Sequence, residues 1–143
     1  MITRDIMSRN PVMIHPEATV RDAATQMSEH NIGVLPIHDG DKLVGIVTDR
    51  DLAIRGLALG YDSAATPVKT VMTNNCVTCS EGTDVGEAVK LMEKKSVRRL
   101  IVTEPSGKPI GIFSLEDIAR KGNDAKFSGK AFVQLHRLNK RTS

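Results

Sequence analysis

The chain carries one pattern twice, so any fold it adopts must house two copies of one unit. Residues 6–53 reappear as residues 71–119. Met7, Asn10, Val12, Val20, Ala23, Met27 and Leu35 return 65 positions later as Met72, Asn75, Val77, Val85, Ala88, Met92 and Leu100. One extra residue enters the second copy in the loop Glu104-Pro105-Ser106-Gly107. The offset is then 66, and Lys42, Gly45, Ile46, Asp51 and Ala53 return as Lys108, Gly111, Ile112, Asp117 and Ala119. Tandem copies usually pack against each other about a pseudo-two-fold axis. A cleft at that axis exists in duplicate, and ligands commonly sit at such interfaces.

Periodicity gives the order of elements in each copy. Thr19 is the expected cap of a helix, with Asp22 at the capping-box position. Val20, Ala23, Ala24 and Met27 then follow at helical spacing, and Val85, Ala88, Val89 and Met92 repeat the stripe behind Asp84 and Glu87. Short β-type runs come next, Val34-Leu35-Pro36-Ile37 and Leu100-Ile101-Val102. Each turns at a glycine-containing loop into a second strand, residues 43–48 or 109–114, which reads as a hairpin. Pro36 cannot donate a ladder hydrogen bond, which argues against that strand or places it at an edge. A second helix opens near Asp49-Arg50-Asp51 and near Glu116-Asp117, acids well placed for a helix N-terminus. Residues 11–14 and 76–79 are extended candidates ahead of the first helix. Each unit is therefore strand, helix, strand, strand, helix.

The 143 residues suffice for one core or two small units sharing one, and 40% hydrophobic with 26% charged residues is a folded rather than a disordered composition. No apolar run approaches the roughly 18 residues of a membrane span. The first residues have no apolar stretch behind them, so no secretory signal is expected and the cytoplasm is the default. The net charge of +3 is unevenly placed. From Gly122 onward, Lys126, Lys130, Arg137, Lys140 and Arg141 face one acid, Asp124, so the basic balance belongs to the tail. Phe127, Ala131, Leu135 and Leu138 form an apolar helical stripe there, which predicts a short C-terminal helix.

Two segments carry a family resemblance. Gly45-Ile46-Val47-Thr48-Asp49-Arg50-Asp51 and Gly111-Ile112-Phe113-Ser114-Leu115-Glu116-Asp117 resemble the Gly-hydrophobic-x-(Thr/Ser)-x-x-Asp signature of cystathionine-beta-synthase (CBS) domains. Asp5-Ile6-Met7 and Thr70-Val71-Met72 are similar to the opening turn of those domains. The match covers residues 3–121 and is closest in kind to small stand-alone bacterial CBS-pair proteins, including the hypoxic response protein type. The resemblance implies an α+β fold of two tandem β-α-β-β-α repeats, residues 1–60 and 70–121, with a linker at 61–69 and a basic tail at 122–143. It also implies two symmetry-related clefts that bind adenosine-containing ligands for regulation, not catalysis. AMP, ADP and ATP are the candidates, with S-adenosylmethionine ranked below them. No cofactor is required and no metal site is expected.

The residues themselves allow two readings of the signature. Thr48 and Ser114 end a strand, and Asp51 and Asp117 follow three residues on. A carboxylate there can accept both hydroxyls of a ribose, and helix N–H groups favour phosphate. The same spacing is also an ordinary capping box. Arg98 and Arg99 break the repeat, since Ile32-Gly33-Val34-Leu35 stands where the second copy has Val97-Arg98-Arg99-Leu100. In the family a basic pair at this point resembles one that contacts nucleotide phosphates. A solvated pair after a helix is the alternative. Arg50 could act similarly. Val12, Ile14, Val34 and Pro36 could wall one adenine slot, and Val77, Val97 and Ile110 the other, although each also reads as core.

Other constellations are weak. Cys76 and Cys79 have metal-like spacing, but residues three apart in an extended strand face opposite ways, which favours small core cysteines. The four histidines are scattered, and no nucleophile or phosphate-loop motif is present. Sparse aromatics argue against nucleic-acid recognition by the body. The functional expectation is an adenine-nucleotide-sensing CBS pair, homodimeric and acting in trans on an unidentified effector protein. The alternative is a structural or protein-docking module with vestigial clefts.

Overall fold

The computed structural model describes residues 1–121; the basic tail and its expected helix lie outside the described residues. The fold is α+β. A 3-10 turn at Thr3–Asp5 and strand β1 (Ser8–Arg9) precede helix α1 (Val20–His30) and the hairpin β2 (Val34–Asp39) and β3 (Lys42–Thr48). Helix α2 (Asp49–Asp51) runs straight into a π-helical segment, Leu52–Leu57. After a 3-10 turn at Val68–Thr70 the pattern recurs as β4 (Thr78–Ser80), α3 (Val85–Lys95), β5 (Arg99–Thr103), β6 (Pro109–Ser114) and α4 (Leu115–Lys121).

The caps form where the sequence places them. Thr19 Oγ1 accepts the Asp22 N–H at 3.0 Å, and Asp22 returns the bond by accepting the Thr19 N–H at 2.9 Å. Asp84 accepts the Glu87 N–H at 3.3 Å. Both helices end on a residue in the left-handed region, Asn31 (φ 51°) and Ser96 (φ 55°), which turns the chain toward the following strand.

The chain divides into two compact units that do not follow the order of the repeats. One unit holds residues 11–76; the other holds residues 1–10 with, among the described residues, 77–121. Each is therefore closed by the opening segment of the other repeat. In the second unit the sheet order is β1-β6-β5-β4, with β4 parallel to β5 and the other pairs antiparallel. In the first, the outer partners of the β2-β3 hairpin shrink to single bridges, Ile14 to Ile37 and Thr73 to Ile46.

Pro36 fits because of this arrangement. Ile46 spends both backbone groups on Thr73, so Pro36 and Ile46 face each other as a pair without ladder hydrogen bonds. The Pro36 carbonyl accepts from Ile14 on the opposite side. β2 thus has partners on both sides, and the expected edge position is corrected: the missing donor falls where β3 does not need it.

Each unit has its own core. Ile14, Val20, Ala23, Met27, Leu35, Ile37, Val47, Val68 and Val71 fill the first. Ile6, Met7, Val85, Ala88, Val89, Met92, Leu100, Phe113, Leu115 and Ile118 are among those that fill the second. Val20, Ala23 and Met27 of α1 and the whole α3 stripe bury against these clusters, as the 3.6-residue spacing requires, whereas Ala24, expected in the α1 stripe, is exposed.

The signature glycines serve this exchange. A Cβ added to Gly111 would lie 2.5 Å from Met7 Sδ and 3.0 Å from the Ser8 carbonyl oxygen. At Gly45 the corresponding atoms are Met72 Sδ at 2.6 Å and the Thr73 carbonyl at 3.0 Å. The close approach that glycine permits at these positions is made by the opening segment of the other repeat.

Candidate ligand-binding site

Both signatures sit at a strand-to-helix turn, and in both the hydroxyl caps the turn. Thr48 Oγ1 accepts the Asp51 N–H at 3.1 Å, and Ser114 Oγ accepts the Asp117 N–H at 3.1 Å. A hydroxyl that accepts in this way keeps its own proton for another partner. The capping reading of the motif is therefore realised, and it leaves the hydroxyls competent to donate.

The two carboxylates are held differently. Asp51 closes its box by accepting the Thr48 N–H on Oδ2 at 3.0 Å. Its Oδ1 lies 3.9 Å from Arg55 Nε, an ion pair without a hydrogen bond, and Asp51 is only 13% exposed. Asp117 is 5% exposed and its Oδ1 accepts from Arg120 Nη2 at 2.8 Å. Arg120 is itself largely solvated, so it can swing away at small cost.

Several of the N–H groups expected to attract phosphate already have partners within the chain. Asp49 N–H donates to the Gly33 carbonyl at 3.0 Å, and Arg50 N–H to Asp49 Oδ1 at 2.8 Å. In the second unit Leu115 N–H donates to the Arg98 carbonyl at 3.3 Å. These bonds narrow the N–H groups a phosphate could meet and give the side chains around the turn more weight.

Arginines at the second signature divide their roles. Arg98, just ahead of β5, pairs through Nη2 with Glu116 Oε1 at 2.8 Å in the first turn of α4. Arg99 stands opposite Ser114 in the β5-β6 ladder. Cross-strand partners project on the same face with Cβ atoms about 5 Å apart. Arg99 therefore flanks the signature hydroxyl, and it makes no ion pair among the described residues. Its counterpart in the first unit, Val34, stands opposite Thr48. There Asp49 packs so closely on Gly33 that a Cβ would lie 2.9 Å from its carboxylate. Arg50 is exposed.

The proposed adenine walls are core or core-edge residues. Ile14, Val34 and Pro36 are buried, and Val12 packs against the same cluster. Val77, Val97 and Ile110 are partly buried against the second core. Cys76 and Cys79 are both free and half-buried, and burial pushes each thiol up to about 11. Cys79 packs on the second core. Sequence reasoning did not anticipate Arg55, Arg120 and Lys121, the cations on the helix behind each signature. Their helical spacing from the signature acids is visible in the sequence, but their targets are not.

A helix and a β-hairpin that recur in tandem, each hairpin ending in a hydroxyl-capped Gly-x-x-(Thr/Ser)-x-x-Asp turn, define a tandem regulatory module. The CBS domain family matches residues 3–56 and 68–124, and the chain belongs to that family as a tandem CBS pair. It is 31% identical to the CBS domain-containing protein YhcV of Bacillus subtilis, across 95% of this chain and 96% of that one. It is 36% identical to hypoxic response protein 1 of Mycobacterium tuberculosis, across 82% of each.

Among solved structures, the CBS domain pair of protein MJ0100, in complex with 5'-methylthioadenosine and S-adenosyl-L-methionine, superposes with a TM-score of 0.77 at 32% identity, covering 91% of this chain and 98% of that one. Hypoxic Response Protein I with two coordinated zinc ions superposes at 0.74 with 35% identity, covering 84% and 98%. Among the described residues here, no group of three or more His, Cys, Asp or Glu side chains gathers to hold a metal. The likeness to inosine-5'-monophosphate dehydrogenase of Thermoplasma acidophilum spans 22% of that enzyme. The chain is a CBS-pair module of the regulatory kind. Among the described residues no helix is long and apolar enough to cross a membrane.

Proposed function

We propose that the protein is a regulatory module that binds AMP, ADP or ATP at its signature turns and signals to a partner protein in trans. The observation that carries this reading is the duplicated pair of a capping hydroxyl with a free proton beside a nearly buried carboxylate, Thr48 with Asp51 and Ser114 with Asp117. Such a pair is matched to the vicinal hydroxyls of a ribose, which both donate and accept. The MJ0100 pair, similar over most of its length, holds two adenosyl compounds. Arg99 beside Ser114 adds a cation for phosphate, which favours a nucleotide over S-adenosylmethionine at the second signature. Arg98 contributes through the field it shares with Glu116, and Arg50 is the cation within the first signature. A homodimer is the proposed assembly. Ile54, Leu57, Leu59 and Tyr61 stand exposed along one short stretch, and clustered exposed apolar side chains favour a partner surface.

Calorimetry on ligand-stripped protein tests the reading. Removing a charged acceptor costs about 1.5–3 kcal/mol, roughly 10- to 150-fold in affinity. Asp117→Ala and Asp51→Ala should each weaken nucleotide binding by that order at their own signature. Replacing Arg98 and Arg99 together should weaken ATP more than adenosine. A second reading, a docking module that binds no nucleotide, draws on the capping bonds both signatures already make. It stands if no adenosine compound gives heat at millimolar concentration.

A further inference from the structure

In the first unit, one side chain touches both the signature acid and the exchanged segment. Arg55 Nε lies 3.9 Å from Asp51 Oδ1, and Arg55 Nη1 donates to the Met72 carbonyl at 3.3 Å. Met72 in turn packs over Gly45, and its neighbour Thr73 exchanges two hydrogen bonds with Ile46, 2.8 and 3.0 Å long. These residues belong to the opening segment of the second repeat, which ends at Cys76, where the chain leaves this unit. The other unit divides the work. Lys121, the counterpart of Arg55, donates to the Ile6 carbonyl at 3.3 Å, while Asp117 is bound by a different residue, Arg120, at 2.8 Å.

We infer that Arg55 is a positioning residue that couples Asp51 to the hold on residues 68–76, and that the second signature has no such coupling. This rests on the reading that ligand hydroxyls engage Asp51. A carboxylate that accepts those hydroxyls spends its lone pairs on them and attracts the guanidinium less. Arg55 is half-exposed and competes with water for the Met72 carbonyl, so losing the guiding charge loosens that bond. Ligand at the first signature thereby weakens the attachment of the segment that joins the units. At the second signature Lys121 holds its segment whether or not Asp117 is occupied.

Amide hydrogen exchange reads this directly, with Ala23 in α1 as the internal reference. In ligand-free protein, Asp51→Asn keeps an oxygen to cap Thr48 but loses the charge. Asp51→Asn and Arg55→Met should each speed exchange at Ile46 and Thr73 about two- to fivefold, and the double variant should be no faster than either. Arg55→Lys should restore part of the protection. Asp117→Asn should leave the Ile112 amide, across from Ser8, unchanged. Adenosine should speed Thr73 exchange in the natural protein and not in Arg55→Met. Additive effects of the two substitutions, or an adenosine response that persists in Arg55→Met, would overturn the coupling. If adenosine does not bind at all, the proposed function fails, and the ligand-free cycle still decides whether Arg55 couples the two groups.

Discussion

Gly111→Ala is the sharpest probe of how the two repeats are built into each other. The added methyl would stand 2.5 Å from Met7 Sδ, 3.1 Å from Met7 Cγ and 3.0 Å from the Ser8 carbonyl oxygen. The thioether can rotate, but Met7 is 6% exposed and packs in the second core, so moving it forfeits contacts there. The carbonyl cannot retreat without opening the pairing of Ser8 with Ile112 and Arg9 with Gly111. Inserting one methyl into a packed site costs about 1–3 kcal/mol. Lower chain entropy in the unfolded state returns about 0.4–1 kcal/mol. A net loss of about 1–2 kcal/mol is expected in urea unfolding, seen as a lower midpoint at unchanged slope. Gly45→Ala should behave alike, since Met72 Sδ at 2.6 Å and the Thr73 carbonyl at 3.0 Å present the same obstacle. Gly82→Ala is the control, because nothing lies within 4 Å of its added methyl. If all three variants unfold at the same midpoint, the glycines are not the seats of the exchanged segments.

The remaining expectations concern the thiols and the assembly. With both thiols pushed from 9.0 up to about 11 by burial, which disfavours the charged thiolate, alkylation by iodoacetamide at pH 8 should run about 100-fold slower than for an ordinary thiol and rise about tenfold per pH unit. Labelling at the free-cysteine rate at pH 8 would contradict the buried placement. Light scattering at micromolar concentration should give about twice the chain's 15.6 kDa, and Leu57→Glu with Leu59→Glu should return it to one chain's mass. A single-chain mass in the natural protein at every concentration would exclude the dimer.

Much of the fold was readable because its signals are local. Thr19 and Asp22 announce their helix within three residues, and the stripe Val20, Ala23, Met27 needs only the helical period. The hairpins are likewise set by short loops, Gly40 and Gly107 both taking positive φ there. What the sequence could not show is which copy each opening segment joins. Met7 and Met72 are identical residues at equivalent positions, and nothing local says that Met7 covers Gly111 rather than Gly45. Pro36 misled for a related reason. Its fitness depends on the Thr73 bonds that occupy Ile46, and Thr73 lies 37 residues beyond Pro36 in the chain. At the candidate site, hydroxyl and acid were legible as a motif. The competition for their hydrogen bonds was not, because Arg55 and Arg120 act through contacts that spacing alone does not specify.

The two copies agree and diverge in an informative way. Both keep the hydroxyl that accepts the N–H three residues on, and both keep the glycine beneath a methionine. These common features stabilise the turn and the exchanged strand whatever is bound, so they define the fold more than the ligand. The differences fall on the positions around them. Val34 becomes Arg99 beside the hydroxyl, the exposed Asp49 becomes the buried Leu115, and Gly33 becomes Arg98 paired with Glu116. None of these exchanges is needed to close the turn, because the capping bond has the same 3.1 Å length in both copies. Each does change the charge or polarity that a group beside the hydroxyl would meet. Arg99→Val should therefore leave stability nearly unchanged while reducing ATP affinity at the second signature. A loss of stability as large as that of Gly111→Ala, with ATP binding intact, would assign Arg99 to the fold instead.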